Sequence, residues 1–284
     1  MNTTTHENNI KFLSEKQIQI AALLRDVCRD SLCMFPTDDF GNIDIGDLFS
    51  VYADIFGKDM SPCIELAIFC SECSRKYSIS YLEILDNESH EDIANDHPQI
   101  AYLKNSFADK AYRKTAQLFD KVSAVYLPGF REVCEEVYYG RSTYALLPVF
   151  SSSDGQLSSF RQLISKYDLN IIYAVDVKMS DEGFMRYALL RKGLNDSICS
   201  EKINYLDISI VSETNFKLGD FLAACEFLGA SVTCVNSYPS EYSEDSSLVY
   251  ITFDVAISEI DALCLFLEAS HVRYNTIGAY NIKQ

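Results

Sequence analysis

The chain has 284 residues, of which 48% are hydrophobic and 23% charged. That composition is ordinary for globular protein and long enough for two or three domains with a substantial core. No apolar run approaches the ~20 residues a membrane helix needs, and a net charge of −17 argues against nucleic-acid binding and against docking on anionic lipid.

The charge is unevenly spread: residues 1–97 carry a balance of −11, residues 98–201 of +1, and residues 202–284 of −7. The opening MNTTTHENN lacks a basic-then-apolar signal pattern, so a cytoplasmic protein is expected, with residues 1–9 as a disordered tail. Ser14 and Gln17 have capping-box spacing. They predict a helix with Ile20, Leu24, Val27 and Cys28 on its inner face, broken at Pro36-Thr37-Asp38-Asp39. A second helix is predicted over Asp44–Phe56, with Leu48, Val51 and Tyr52 inward and Gly57 as its stop. A third starts at Ser61-Pro62 and continues to about Tyr77. Residues 10–85 therefore read as a helical domain, and the acidic stretch 86–97 as a linker. Ten cysteines without framework spacing read as reduced thiols. The single C-x-x-C, Cys70 to Cys73, falls inside a predicted helix and reads as two helical cysteines, one of them facing the core.

From Ile100 to Gly155 the pattern changes. Apolar runs at Ile100–Leu103, Val122–Leu127 and Ala145–Phe150 read as strands. Between them Phe107, Ala111 and Ala116–Phe119, then Phe130, Val133, Cys134 and Val137, recur at helical spacing. Strands alternating with helices predict βαβ units on a mostly parallel sheet. A third helix carries Leu157, Phe160, Leu163 and Ile164, and strands follow at Leu169–Val177 and Gly183–Leu190. Beyond Lys202 the order is strand Tyr205–Val211, helix Leu218–Phe227, strands Val232–Val235 and Leu248–Val255, helix Ile257–Leu267, strand Val272–Tyr280. This βαββαβ order is the ferredoxin-like motif.

Several of these stretches carry a resemblance. Ala101-Tyr102-Leu103, Ser106-Phe107-Ala108, Phe130/Val133/Gly140 and Leu147-Pro148-Val149-Phe150-Ser151-Ser152 with Gly155 follow the order and spacing of the first lobe of prephenate dehydratase, which converts prephenate to phenylpyruvate. Asn236-Ser237-Tyr238-Pro239 and Ile277-Gly278-Ala279-Tyr280 resemble the matching stretches of that family's ACT domain, a regulatory module that senses phenylalanine. The resemblance implies an α/β and α+β multidomain fold. It comprises a helical N-terminal domain, a single three-layer α/β lobe at 98–195 and a ferredoxin-like ACT domain at 202–284.

The same comparison implies altered chemistry. The family's second lobe lies between the strands that here end at Val177 and begin at Gly183, and Lys178–Glu182 alone fills the gap; a five-residue connection is a loop, not a lobe. A Thr-Arg-Phe strand supplies the family's hydroxyl and guanidinium, and Met185, Arg186 and Tyr187 stand there; Met185 reads as an apolar strand residue. The Glu-Asn corner aligns with Phe150 and Ser151, Ser152 being kept. The Gly-rich turn is shortened to Lys104-Asn105, without the glycines that let backbone approach an anion. In the module, Phe216-Lys217-Leu218 replaces a Gly-Ala-Leu turn. The expected reading is a non-catalytic regulatory or interaction protein that forms a homodimer through its ACT-like part. A small-molecule effector would be held near Asn236, Ser237, Phe216 and Leu218, with no metal and no cofactor. The alternative is an active dehydratase built around Arg186 and Ser152. A mutase fused ahead of it would need converging cations, whereas residues 1–97 offer few against 18 carboxylates.

Overall fold

The computed structural model describes residues 3–33, 45–57, 61–77, 97–179, 183–194, 203–212, 216–239, 246–256, 259–270 and 272–283. The expected break at Pro36–Asp39 and nearly all of the expected linker lie outside them. The chain divides into two compact units, one built from residues 1–84, 214–231 and 258–273, the other from 85–213, 232–257 and 274–284. This differs from the partition expected from sequence. The helices of the C-terminal βαββαβ segment group with the N-terminal helices, and its strands group with the central α/β segment.

The first unit contains α1 (Thr3–Cys33), α2 (Ile45–Phe56), α3 (Ile64–Lys76), α7 (Leu218–Phe227) and α8 (Ile260–Ala269). The expected tail at 1–9 is corrected: α1 is helical from Thr3. Its inner face is also rotated from the expected one. Cys28 and Leu32 are buried, whereas Ile20 and Val27 are 57% and 47% exposed. Gly57 ends α2 at φ 95°, a conformation a side chain disfavours.

The central element is α3. Leu66 to Cys73 are buried without interruption, the pattern of a helix enclosed on all sides, and α1, α2, α7 and α8 all pack against it. Both Cys70 and Cys73 are fully buried, so the expectation of one core-facing thiol is corrected. Enclosure also takes in Glu72, 5% exposed, which Arg29 and Arg75 neutralise at 3.2 Å each. Nearby, burial first and the Glu72 charge second push the Cys28 thiol from 9.0 up to about 11. An unfolded thiol ionises near pH 9 while the folded one holds its proton. Stability contributed at this site is complete below that pH and falls as pH rises toward 11. Cys28→Ala is expected to flatten the alkaline decline measured by urea unfolding between pH 8.5 and 10.5; an unchanged slope would contradict the assignment.

The second unit is organised on one sheet. Its strands are β1 (Gln99–Leu103), β2 (Ser123–Leu127), β3 (Tyr144–Ser151), β4 (Gly155–Gln156), β5 (Asn170–Lys178), β6 (Phe184–Arg191), β7 (Tyr205–Ser212), β8 (Ala230–Pro239), β9 (Ser247–Val255), β10 (Tyr274–Tyr280) and β11 (Ile282–Lys283). The order is β2-β1-β3-β6-β5-β10-β7-β9-β8, with β11 beside β5 and β4 beside β3. Strands β7 to β10 lie in the order β10-β7-β9-β8, the arrangement of a ferredoxin-like motif. The mostly parallel sheet expected from sequence is corrected. Only β2-β1-β3 and the contacts of β10 and β11 with β5 are parallel, and the remaining registers determined are antiparallel.

On the sheet lie α4 (Ser106–Thr115), α5 (Phe130–Tyr138) and α6 (Ser158–Lys166). One core joins Val133, Cys134 and Val137 of α5 and Ile164 of α6 to Leu147, Ile171 and Leu190, and continues to Tyr250, Ile277 and Tyr280. The opposite core joins Ala108 and Ala111 of α4 to Ile100, Leu146, Val175 and Leu189. Helices on both faces with a sheet between them make the three layers expected of the 98–195 segment. The strands of the C-terminal segment extend that sheet and share its core, which the sequence reading had divided between two domains.

The junction is made by β10. Gly278 pairs with Ile171 of β5, and Ile282 and Lys283 of β11 pair with Ala174 and Val175. The Ala174 N–H donates to Asn281 O at 2.9 Å, and Asn170 Nδ2 donates to Thr276 O at 2.8 Å. Gly278 is required here by proximity: a Cβ would lie 2.5 Å from Ile171 Cβ and 2.7 Å from Ile171 O.

Candidate functional site

Strands β5 and β6 form an antiparallel hairpin, with Lys178 opposite Phe184 and the Met179 N–H donating to Gly183 O at 2.8 Å. Residues 180–182 of the connection lie outside the described residues. The register places Asp176 opposite Arg186 and Phe150 of β3 on its other side.

Arg186 is therefore engaged within the protein. Its Nε donates to Asp176 Oδ1 at 2.7 Å and its Nη2 to Oδ2 at 3.0 Å, the bidentate fork that gives a charged pair its geometric specificity. The rings of Phe150, Phe184 and Tyr205 surround the guanidinium at 5.5, 5.7 and 5.9 Å, close enough for cation–π attraction. Burial alone lowers the guanidinium pKa, but hydrogen bonding and charge from Asp176 outweigh it and leave the pKa raised. Met185, pointing to the opposite face, packs against the core formed by Tyr102, Val177 and Tyr187. It is an apolar strand residue, as the sequence reading expects.

Two other positions that the resemblance matches to the family's site are engaged by local side chains. Asn105 caps α4: its Oδ1 accepts from the Phe107 and Ala108 N–H groups at 3.0 and 2.9 Å. Helix N-terminal amides are natural anion donors, and two of them are satisfied here. At the corner after β3, Asp154 Oδ2 accepts from the Ser151 and Ser153 hydroxyls, each at 2.9 Å. Hydrogen bonds from Ser153 and then Ser151 lower the Asp154 pKa. Ser152 bonds to strand backbone: its Oγ accepts from the Phe184 N–H at 2.9 Å, and its own N–H donates to Phe184 O at 2.9 Å. Ser152, just past the end of β3, and Arg186 on β6 are thus each held by a different local partner.

The four expected effector residues are divided between the two units. Phe216 and Leu218 fall in the helical unit and Asn236 and Ser237 in the sheet unit. Phe216 packs on Phe221 with centroids 5.7 Å apart. Ser237 is exposed on β8. Asn236 belongs to a polar network that the sequence reading missed. Its Nδ2 donates to Gln156 Oε1 at 2.9 Å, and Gln156 Nε2 donates to Thr252 Oγ1 at 2.9 Å. Arg161 Nη2 also donates to Thr252 Oγ1, at 2.8 Å, and to Asp207 Oδ2 at 2.6 Å. The Tyr280 hydroxyl donates to the same Asp207 oxygen at 3.3 Å. Asp207 is fully buried and Arg161 is 4% exposed. Burial first, then the Asp207 charge, hold the Tyr280 phenol well above its ordinary pKa.

One clue to the missed partners was local. A short connection pairs residues whose numbers share one sum: with Lys178 opposite Phe184, Asp176 falls across from Arg186, whereas the bounds Val177 and Gly183 read from sequence set Asp176 opposite Phe184. The other had no local clue. Asp207 alternates with Leu206, Ile208 and Ile210 and reads as an outward polar residue, yet both faces of β7 are covered. Among the described residues no group of histidines, cysteines or carboxylates is arranged to hold a metal ion. No described helix is long and apolar enough to cross a membrane.

No protein-family model and no curated protein sequence matches the chain. Solved structures do. Prephenate dehydratase from Streptococcus mutans is similar at 17% identity over 66% of this chain and 100% of that one, with a TM-score of 0.54. GqqA, described as a novel type of quorum quenching acylase, is similar at 16% identity over 65% and 95%, with a TM-score of 0.51. Prephenate dehydratase from Arthrobacter aurescens, in complex with L-Phe, is similar at 11% identity over 64% and 89%, with a TM-score of 0.50. The protein is thus of the mixed α/β class, and its fold is prephenate dehydratase-like. A fold shared between a dehydratase and an acylase leaves chemistry to the site.

Proposed function

We propose that this protein is a non-catalytic regulatory or interaction protein related in fold to prephenate dehydratase, one that dimerises and senses a small ligand through its ACT-like segment. The observation that carries the reading is the Arg186–Asp176 fork. The guanidinium that the resemblance assigns to a substrate carboxylate already holds a carboxylate of its own chain. Displacing Asp176 would expose a charge among three aromatic rings, at a cost that a new ligand would have to repay. The Asn105 cap and the Ser151–Asp154 corner support the same conclusion, because both answer polar groups locally. Met185 offers no proton where the dehydration requires a donor. For dimerisation the supporting feature is β8, at the end of the strand order, whose residues alternate in exposure from Ser231 to Pro239. A strand at the end of a sheet is a template for pairing with another strand.

Purified protein incubated with prephenate is expected to form no phenylpyruvate above the uncatalysed rate. Turnover that Arg186→Ala abolishes would establish the active dehydratase instead. Thermal-shift titration with phenylalanine, tyrosine and tryptophan tests sensing, and no shift with any of them would reduce the proposal to an interaction role.

A further inference from the structure

The helical unit contains a groove of about 450 Å³ between α1, α3 and α7, walled by Ile18, Leu24, Ile64, Ile68 and Phe227. Its volume is that of a small-molecule site. None of the residues expected from sequence to bind a ligand lines it.

Its polar groups set the chemistry of an occupant. Arg25 lines the groove, and its Nε is buried without a hydrogen-bond partner among the described residues. The guanidinium carbon lies 5.3 Å from the Phe227 ring centroid. No carboxylate among the described residues pairs with it, although Glu65 stands elsewhere on the lining. Buried donors left unmet are rare because each forfeits the full cost of desolvation. Apolar walls around a guanidinium with an unmet Nε donor match a ligand with an apolar body and a single carboxylate. Glu65 disfavours a second negative charge, and the overall charge of −17 provides no long-range attraction for anions. Affinity must then come from burying the apolar body, with Arg25 selecting its head group.

The rim is apolar too. Ile18 is 66% exposed and Ile64 43%, so the groove's apolar surface continues outward, as in sites that take apolar ligands.

From this geometry we infer that the groove binds an amphipathic monocarboxylate, its head group on Arg25 and its apolar body against Leu24, Ile68 and Phe227. This inference does not depend on the Arg186 reading, and its failure would leave that reading untouched.

Calorimetric titration of the full chain with octanoate, octanol and octylammonium tests it. Octanoate is expected to bind saturably and at least tenfold more tightly than octanol, with octylammonium weakest. Arg25→Gln is expected to bring octanoate down to the level of octanol. Ile18→Glu alters an exposed rim residue and so leaves the melting temperature unchanged. It is expected to weaken octanoate more than octanol, which keeps the test valid if Arg25→Gln does not fold. Equal binding of octanoate and octanol by the unaltered protein, or a carboxylate preference that survives Arg25→Gln, would overturn the inference. So would a dimer disrupted by Ile18→Glu in a protein that does not bind octanoate, since the groove would then belong to a second copy of the chain.

Discussion

Asp207→Ala is expected to lower the unfolding free energy by about 3–5 kcal/mol, because it strips the carboxylate from a buried guanidinium. Arg161 is 4% exposed and cannot turn to water, and its Nη2 would keep only Thr252. The loss should exceed what the bond itself contributes. Among the described residues Arg161 Nη1 and Asp207 Oδ1 are both buried without hydrogen-bond partners, so the intact pair already carries uncompensated desolvation. The double variant Arg161→Met/Asp207→Leu, which removes both charges and keeps similar volume, is therefore expected to recover most of the loss. Urea unfolding of the two single variants and the double variant would show this. A double variant as unstable as the sum of the singles would mean that the pair contributes far more than its desolvation removes.

Gly278→Val is expected to cost about 3 kcal/mol, the upper range for forcing extra atoms into a packed interior. The nearest obstacles include the Ile171 carbonyl oxygen, at 2.7 Å from an added Cβ. Backbone on a paired strand does not swing aside as a flexible side chain does, so β10 must separate from β5. Gly219→Ala provides the contrast. Its site on α7 has nothing within 4 Å of an added Cβ, and replacing a helical glycine there is expected to stabilise by about 0.5–1 kcal/mol. Equal effects of the two changes would remove the close approach as the cause.

These two sites also mark what the sequence made legible. The strands and helices were readable because their signals are local: the run from Ala145 to Phe150, the stop at Gly57, the spacing of Leu218, Phe221, Leu222 and Cys225 along one helix. Asp176 was narrowly missed: the short connection limits the register, but bounds set one residue off at each end shift the pairing by two, from Arg186 to Phe184. What escaped were pairings between distant residues. Arg161 and Asp207 are 46 positions apart, and no periodicity links them. The pairing of Ile171 with Gly278 likewise joined two segments that each read as complete modules. The inner face of α1 was misread because Ile20 and Val27 are apolar without being buried; hydropathy marks which residues can leave water, not which ones do.

Insertion of β10 between β5 and β7 has a consequence for synthesis. Residues 170–178 leave the ribosome roughly a hundred residues ahead of the strand that will lie beside them. At translation rates of about 5–20 residues per second, that margin stays bare for roughly 5–20 s. During this interval the nascent chain presents an open row of peptide groups in the middle of the future sheet, where a stray strand could attach. Cells making this protein would need to shield the unfinished chain until the late segment emerges to close the gap.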